Sequence, residues 1–341
     1  MMRSGNRRWF ASVACVLAAF TVPAAAIAAD RKELRIATVA PAGSAFHKRL
    51  QTLGAEWSRG PGGGVTINIY PGTQGGELQI VRRMRVGQIQ GAMLSSVGLG
   101  QIERSVTALQ FMPLMFKDWN DVDRVRERLR PELERRLRAA GYIVLFWGDA
   151  GWVHYFSRTP IRNIRDLKPM RVYASSGDPQ SIEMLKAYYT PVVLEPDQIL
   201  LGLRNGMIDA LPVPAFLANF NQVATYAPYM LDLNWAPVTG ALVLTEKAWK
   251  QLDRPTQEWL KETSERAGQT MRAASRVEDE QTIQAMVDKQ GLKVVTLSAE
   301  AEREFRAEVA RTYPRIRGTL VPAPMFDLTV NTLKTGSEPP Q

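Results

Sequence analysis

The sequence predicts an α/β fold of two lobes, with strands passing between them and a long helix spanning both. Three observations predict it. Strand-length apolar runs alternate with segments of helical period. That alternation begins near residue 34 and begins again near residue 170. The longest helical stretch, residues 246–289, follows both.

In the first half, residues 34–39 read as a buried strand and 45–58 as a helix. The glycine-rich 59–64 is a turn, 65–70 a strand, and 76–87 a helix with Leu78, Val81 and Met84 on one face. Residues 92–95 form a short strand, 121–140 a long helix and 142–147 a continuous apolar strand. The second half restarts with a strand at 170–173, a helix at 178–188, a strand at 192–194 and a helix at 196–205 ended by Gly206. A strand at 208–211 and a helix at 215–226 follow, and 241–245 returns to the first sheet. Asp253-Arg254-Pro255 can break and restart the long helix, since proline is tolerated in a first turn. Beyond it, Trp259, Leu260, Ala267, Met271, Ala274 and Val277 keep a helical stripe. A second sheet inserted within the first assigns 30–150 and 240–280 to lobe I and 151–239 and 281–330 to lobe II. Residues 331–341 are expected to be a flexible tail.

The first 29 residues read as a signal peptide. Arg3, Arg7 and Arg8 precede an apolar run from Trp9 to Val22, and Ala26-Ile27-Ala28-Ala29 offers small residues for cleavage near residue 29. Arg7-Arg8-Trp9-Phe10 bears a weak likeness to a twin-arginine signal. The expected location is therefore the periplasm, and no later segment approaches the roughly 20 apolar residues of a membrane span. The single cysteine, Cys15, lies inside the signal, so the exported chain has no thiol chemistry. The net charge of +9 falls to +6 when the three arginines of the signal are removed. Much of the surplus lies in 124–138, where arginines alternate with Glu127, Glu132 and Glu134 at helical spacing. That pattern reads as a solvated, ion-paired helix face, and no nucleic-acid partner is expected.

A search for chemistry finds no catalytic set. His47 and His154 are the only histidines, without HExxH spacing, and there is no G-x-S-x-G elbow. Arg59-Gly60-Pro61-Gly62-Gly63-Gly64 lacks a following Gly-Lys-Ser/Thr and precedes a strand, so it is a turn and no phosphate cradle. Catalytic residues, metal and cofactor are all expected to be absent. A secreted two-lobed chain of this kind points to a type II-like periplasmic binding protein that closes over a ligand.

The motifs narrow the class. Val39-Ala40-Pro41-Ala42-Gly43-Ser44 is followed by Tyr70-Pro71-Gly72-Thr73-Gln74-Gly75-Gly76-Glu77 and Gly87-Gln88-Ile89-Gln90-Gly91-Ala92. Met112-Pro113-Leu114-Met115-Phe116, Pro160-Ile161, Asp166-Leu167-Lys168 and Gly206-Met207-Ile208-Asp209 come after them. In that order and spacing, over nearly the whole exported chain, the set resembles the TRAP-transporter solute-binding proteins, the DctP-like family. The resemblance implies two α/β lobes joined by strands and a long helix. It also implies a small organic ligand and delivery to integral membrane TRAP subunits, with no catalytic residues or cofactor.

The chain departs from that family where the ligand's carboxylate is usually held. The resemblance implies an arginine at position 173, where Tyr173 stands, and a second at 153, where Val153 stands. Arg171 lies one pleat before Tyr173 and is the candidate replacement. The stretch holding Pro212 and Val213 is also apolar, while Ser95 and Ser96 keep the polar place in lobe I. Ser44 and Phe46 on the first loop, with Trp152 and Trp235, complete the expected ligand-binding set. An unpaired carboxylate in such a cleft would carry a desolvation penalty of about several kcal/mol. The expected ligand is therefore weakly acidic or hydrophobic. Two alternatives stand beside uptake: a same-fold receptor for periplasmic signalling or lipid trafficking, with a periplasmic helical-repeat partner as one route, and a periplasmic hydrolase on a borrowed fold.

Overall fold

The computed structural model describes residues 32–175, 182, 185, 186 and 188–335. The signal segment, nearly all of the helix expected at 178–188, and residues 336–341 lie outside the described residues. Among the described residues ten strands form one continuous sheet. They are β1 (Lys32–Thr38), β2 (Val65–Pro71), β3 (Gly91–Ser95), β4 (Tyr142–Ser157), β5 (Arg171–Ser175), β6 (Thr190–Leu194), β7 (Ala210–Pro214), β8 (Tyr229–Leu231), β9 (Ala236–Thr245) and β10 (Lys293–Val295). The main order is β2-β1-β3-β9-β4-β7-β5-β6, with β8 pairing β4 and β10 pairing β8.

Each lobe contributes a parallel wing, β2/β1/β3 on one side and β7/β5/β6 on the other. Antiparallel β4 and β9 join the wings. The strand expected at 142–147 continues unbroken to Ser157: its first half pairs with β9 and its second with β7 and β8. Between Asp149 and Trp152 its register against β9 slips, and Gly151 there has φ +90°, a conformation that favours glycine.

Helices cover both faces. They are α1 (Ala45–Trp57), α2 (Glu77–Arg85), α3 (Ser96–Gly100), α4 (Trp119–Ala139), α5 (Ile199–Arg204), α6 (Ala215–Phe220), α7 (Glu246–Trp249), α8 (Arg254–Gln290), α9 (Ala299–Ala310), α10 (Tyr313–Thr319) and α11 (Ala323–Thr335). The predicted break in the long helix falls between α7 and α8, where the Asp253 side chain caps α8 by accepting from Thr256 N at 2.9 Å. At 37 residues α8 is about 55 Å long, enough to cross both lobes. Its Leu260 and Met271 pack in a lobe I core with Leu50, Trp57 and Leu244, while Met286 packs in a lobe II core with Leu203 and Val213.

Three expectations change. The helix expected at 215–226 stops at Phe220, because Gln222 turns left-handed and only a 3₁₀ turn, Val223–Thr225, follows. The end of the chain expected in lobe II returns to lobe I: Val321, Met325 and Phe326 bury their apolar stripe against Val122, Val125 and Leu129 of α4. Residues 331–335, expected in a flexible tail, are the last turn of α11. No helix among the described residues is long and apolar enough to cross a membrane.

Candidate functional site

A cavity of about 290 Å³ opens between the lobes, beyond the carboxyl ends of β1, β3 and β5. Open α/β sheets place ligands there, because strand ends and helix starts converge without side chains filling the gap. Lobe I supplies Thr38, Phe46, Gln79 and Ser95, and lobe II supplies Tyr173, Ser175, Ile199, Pro214 and Phe216. Gly148 and Ala150 of β4, Val238–Ala241 of β9 and Met271 of the spine form the floor. Phe46 and Phe216 reach across the cleft to each other, with ring centroids 5.1 Å apart. At another point the walls converge: a Cβ on Gly76 of lobe I would stand 3.9 Å from Oε2 of Glu195 in lobe II.

Among the described residues no lysine, arginine or histidine lines this cavity, while Glu77, Asp149 and Glu195 do. The carboxyl group of Glu77 accepts from Ser95 N (2.7 Å), Ser95 Oγ (2.7 Å) and Gly98 N (2.6 Å), tying the start of α2 to the β3–α3 junction. Burial raises its pKa above the usual carboxylate value, against those three hydrogen bonds. The Asp149 carboxylate is wholly buried and is taken up by Arg126 and Arg276. The Tyr173 hydroxyl is pushed up to about 12 by burial, with a hydrogen bond to Ser175 opposing, so it stays protonated at neutral pH. The described lining therefore offers apolar wall, neutral hydroxyls, an amide and the Glu195 carboxylate, and no cationic anchor.

Of the residues expected to bind ligand, Phe46, Ser95 and Tyr173 line the cavity. Ser44 lines a neighbouring chamber of about 270 Å³ on the far side of the Phe46–Phe216 pair. The rest lie elsewhere. Ser96 is buried, its hydroxyl 2.8 Å from Thr239 Oγ1, where it ties β3 to β9. Trp152 packs at a tilt against Trp119, ring centroids 4.8 Å apart, and Val153 and Trp235 pack in lobe II, Trp235 edge-on to Tyr155 at 5.1 Å. Arg171, the expected replacement, stands exposed at the starting end of β5, forked onto Asp209 at 2.8 and 2.9 Å, and does not line the cavity. Pro212 and Val213 are set back within β7, and it is Pro214, at the strand's end, that reaches the cavity.

Sequence reasoning missed Glu77, Gln79, Pro214 and the floor residues. Gly75-Gly76-Glu77 did carry a signal, since paired glycines before a helix start mark a place where backbone and ligand can approach. Gly148 and Ala150 left none, because small residues within a strand look like ordinary core.

Two α/β lobes hinged on shared strands, with a mostly apolar cavity at the strand ends between them, define a solute receptor. The chain belongs to the DctP family, bacterial extracellular solute-binding protein family 7, whose model matches residues 36–318. Solved structures share the fold. A TRAP periplasmic solute-binding protein from Ralstonia eutropha H16 with bound (S)-2-acetolactate is 18% identical with a TM-score of 0.82, covering 89% of this chain and 99% of that one. A second, from Xanthobacter autotrophicus Py2 with bound β-D-galacturonate, is 18% identical with a TM-score of 0.80, covering 88% and 99%. DctP7 of Bordetella pertussis, an extracytoplasmic solute receptor binding pyroglutamic acid, is 15% identical with a TM-score of 0.80, covering 89% and 99%.

Proposed function

We propose that this chain is the periplasmic receptor of a TRAP-type transporter, and that it closes its lobes over a small, mainly apolar organic molecule that is neutral or weakly acidic. The observation that carries this reading is the missing cation. The described residues around the cavity include no Lys, Arg or His, and the undescribed residues 176–181, 183, 184 and 187 contain none either. The three structures named above hold carboxylic acids. A carboxylate held here would lose its water without a guanidinium fork, at a cost of about several kcal/mol. The arginines that touch the cavity's lining, Arg126 and Arg276, are spent on Asp149, and Arg171 is spent on Asp209. Tyr173 and Ser175 would instead serve a ligand hydroxyl, amide or protonated acid.

Native mass spectrometry of protein purified without refolding reads any retained ligand directly. A thermal-shift panel then compares succinate and pyroglutamate with apolar neutral compounds such as isovaleramide and benzyl alcohol. Stabilisation by the neutral set supports the reading. Stabilisation by a dicarboxylate, whether or not Arg171→Ala abolishes it, overturns it.

A further inference from the structure

The cavity occupies the carboxyl ends of the lobe I strands, and the opposite pole of that lobe, where β1 and β3 begin, is strongly basic. Arg35 reaches the turn between α2 and β3 through Gln90 Oε1 (3.1 Å) and Gly87 O (3.5 Å). Arg83 meets the same turn at Gln88 (3.4 Å), and Arg85 donates to Gln101 O (2.6 Å) beside Tyr142. Arg82 is exposed on the same turn of α2. Arg138 stands at the end of α4, where its carbonyl accepts from Gly141 N, and Gly141 O accepts from Glu246 N, which brings Lys247 alongside. All six side chains are exposed, and none makes an ion pair among the described residues. Among the described residues three carboxylates lie at this pole, fewer than its six cations: Glu246 pairs with Lys250, Glu103 accepts from Ser105 N and lies 4.0 Å from Arg136, and Glu33 accepts from Asn68. Val86, which follows Arg85 at the end of α2, is 71% exposed.

Charges at helix C-termini complement the helix dipole, which accounts for Arg83, Arg85 and Arg138 one by one. It does not account for their convergence with Arg35 and Lys247 from other elements, beside the exposed Val86. Guanidinium forks match phosphate oxygens, and unpaired basic clusters are drawn to anionic membrane surfaces. We propose that this pole of lobe I docks on anionic phospholipid, with the arginines on headgroup phosphates and Val86 at the acyl boundary. Because it lies opposite the cavity, docking there leaves the cleft open to ligand and to a second protein.

Co-sedimentation with vesicles of phosphatidylcholine alone, or of phosphatidylcholine with phosphatidylglycerol, tests it on the purified protein. Binding is expected to the phosphatidylglycerol vesicles only, at about 0.01 M ionic strength, with release at about 1 M. Arg82→Glu/Arg83→Glu/Arg138→Glu should weaken that binding at least about tenfold with the melting temperature kept. A triple variant on lobe II with the same net charge, Arg162→Glu/Lys168→Glu/Arg303→Glu, should retain it. Equal loss in the two variants, or equal binding to both vesicle types, overturns the proposal. Binding to polyglutamate without binding to vesicles would assign the pole to an acidic protein and overturn the lipid assignment.

Discussion

Asp149 and Asp279 flank Gly151, where β4 leaves lobe I, and they bury their carboxylates in opposite circumstances. Asp149 has both oxygens satisfied: Oδ1 by Arg126 at 2.8 Å, Oδ2 by Arg276 at 2.6 and 3.1 Å. Arg276 also holds Asp123 and lies 4.7 Å over the Trp119 ring, which packs against Trp152. Asp279, on the spine helix, has one backbone donor, Trp152 N at 3.0 Å, and its Oδ1 is buried without a partner. Burial pushes its pKa up to about 6, with the Trp152 hydrogen bond opposing and Glu280 adding a little. Two acids at one crossing thus do different work. The first is an ionic joint between α4, β4 and α8. The second makes the same joint sensitive to pH, because one amide cannot replace the water it gave up.

Removing each side of this contrast should show it, beginning with the largest effect. Asp149→Ala leaves two guanidiniums facing each other and should cost about 3–5 kcal/mol in urea unfolding at neutral pH. A loss under about 1 kcal/mol would show that the joint bears no weight.

Asp279→Asn should do the reverse. The folded pKa of about 6 lies above the ordinary aspartate value of 3.8, so the fold favours the protonated acid. Its stabilising contribution is full below about pH 3.8, declines as pH rises to 6, and is gone above. The asparagine variant should therefore be more stable at pH 7.5, by up to about 3 kcal/mol, and no more stable than the parent at pH 3.5. Chemical unfolding at the two pH values checks this.

Gly151→Ala comes next. Its φ of +90° disfavours a side chain, and the new Cβ would lie 2.4 Å from Asp279 Oδ1, so a loss of about 1–3 kcal/mol is expected. In an Asp279→Ala background the clash goes and the backbone strain stays, so a double-mutant cycle should recover only part of the loss. The smallest change is Tyr173→Phe, away from the joint. It gives up the hydrogen bond with Ser175 for about 0.5–1.5 kcal/mol, read as a small drop in melting temperature.

By itself the sequence determined the alternation of strands and helices, the two-lobed order, the break at Asp253 and the family. It also placed Tyr173 where the resemblance implies an arginine. These follow from local periodicity, capping chemistry and motif order, which are properties of neighbouring residues. Only the tertiary structure decided which end of each strand meets the cleft, and so why Pro214 and not Pro212 lines it. It alone showed Arg171 committed to Asp209, 38 residues away, Trp152 turned onto Trp119, and the last helix returned to lobe I. An apolar stripe or a charge announces that it will be buried or paired. Which partner it finds depends on elements brought together by the whole fold, and no local pattern records that choice.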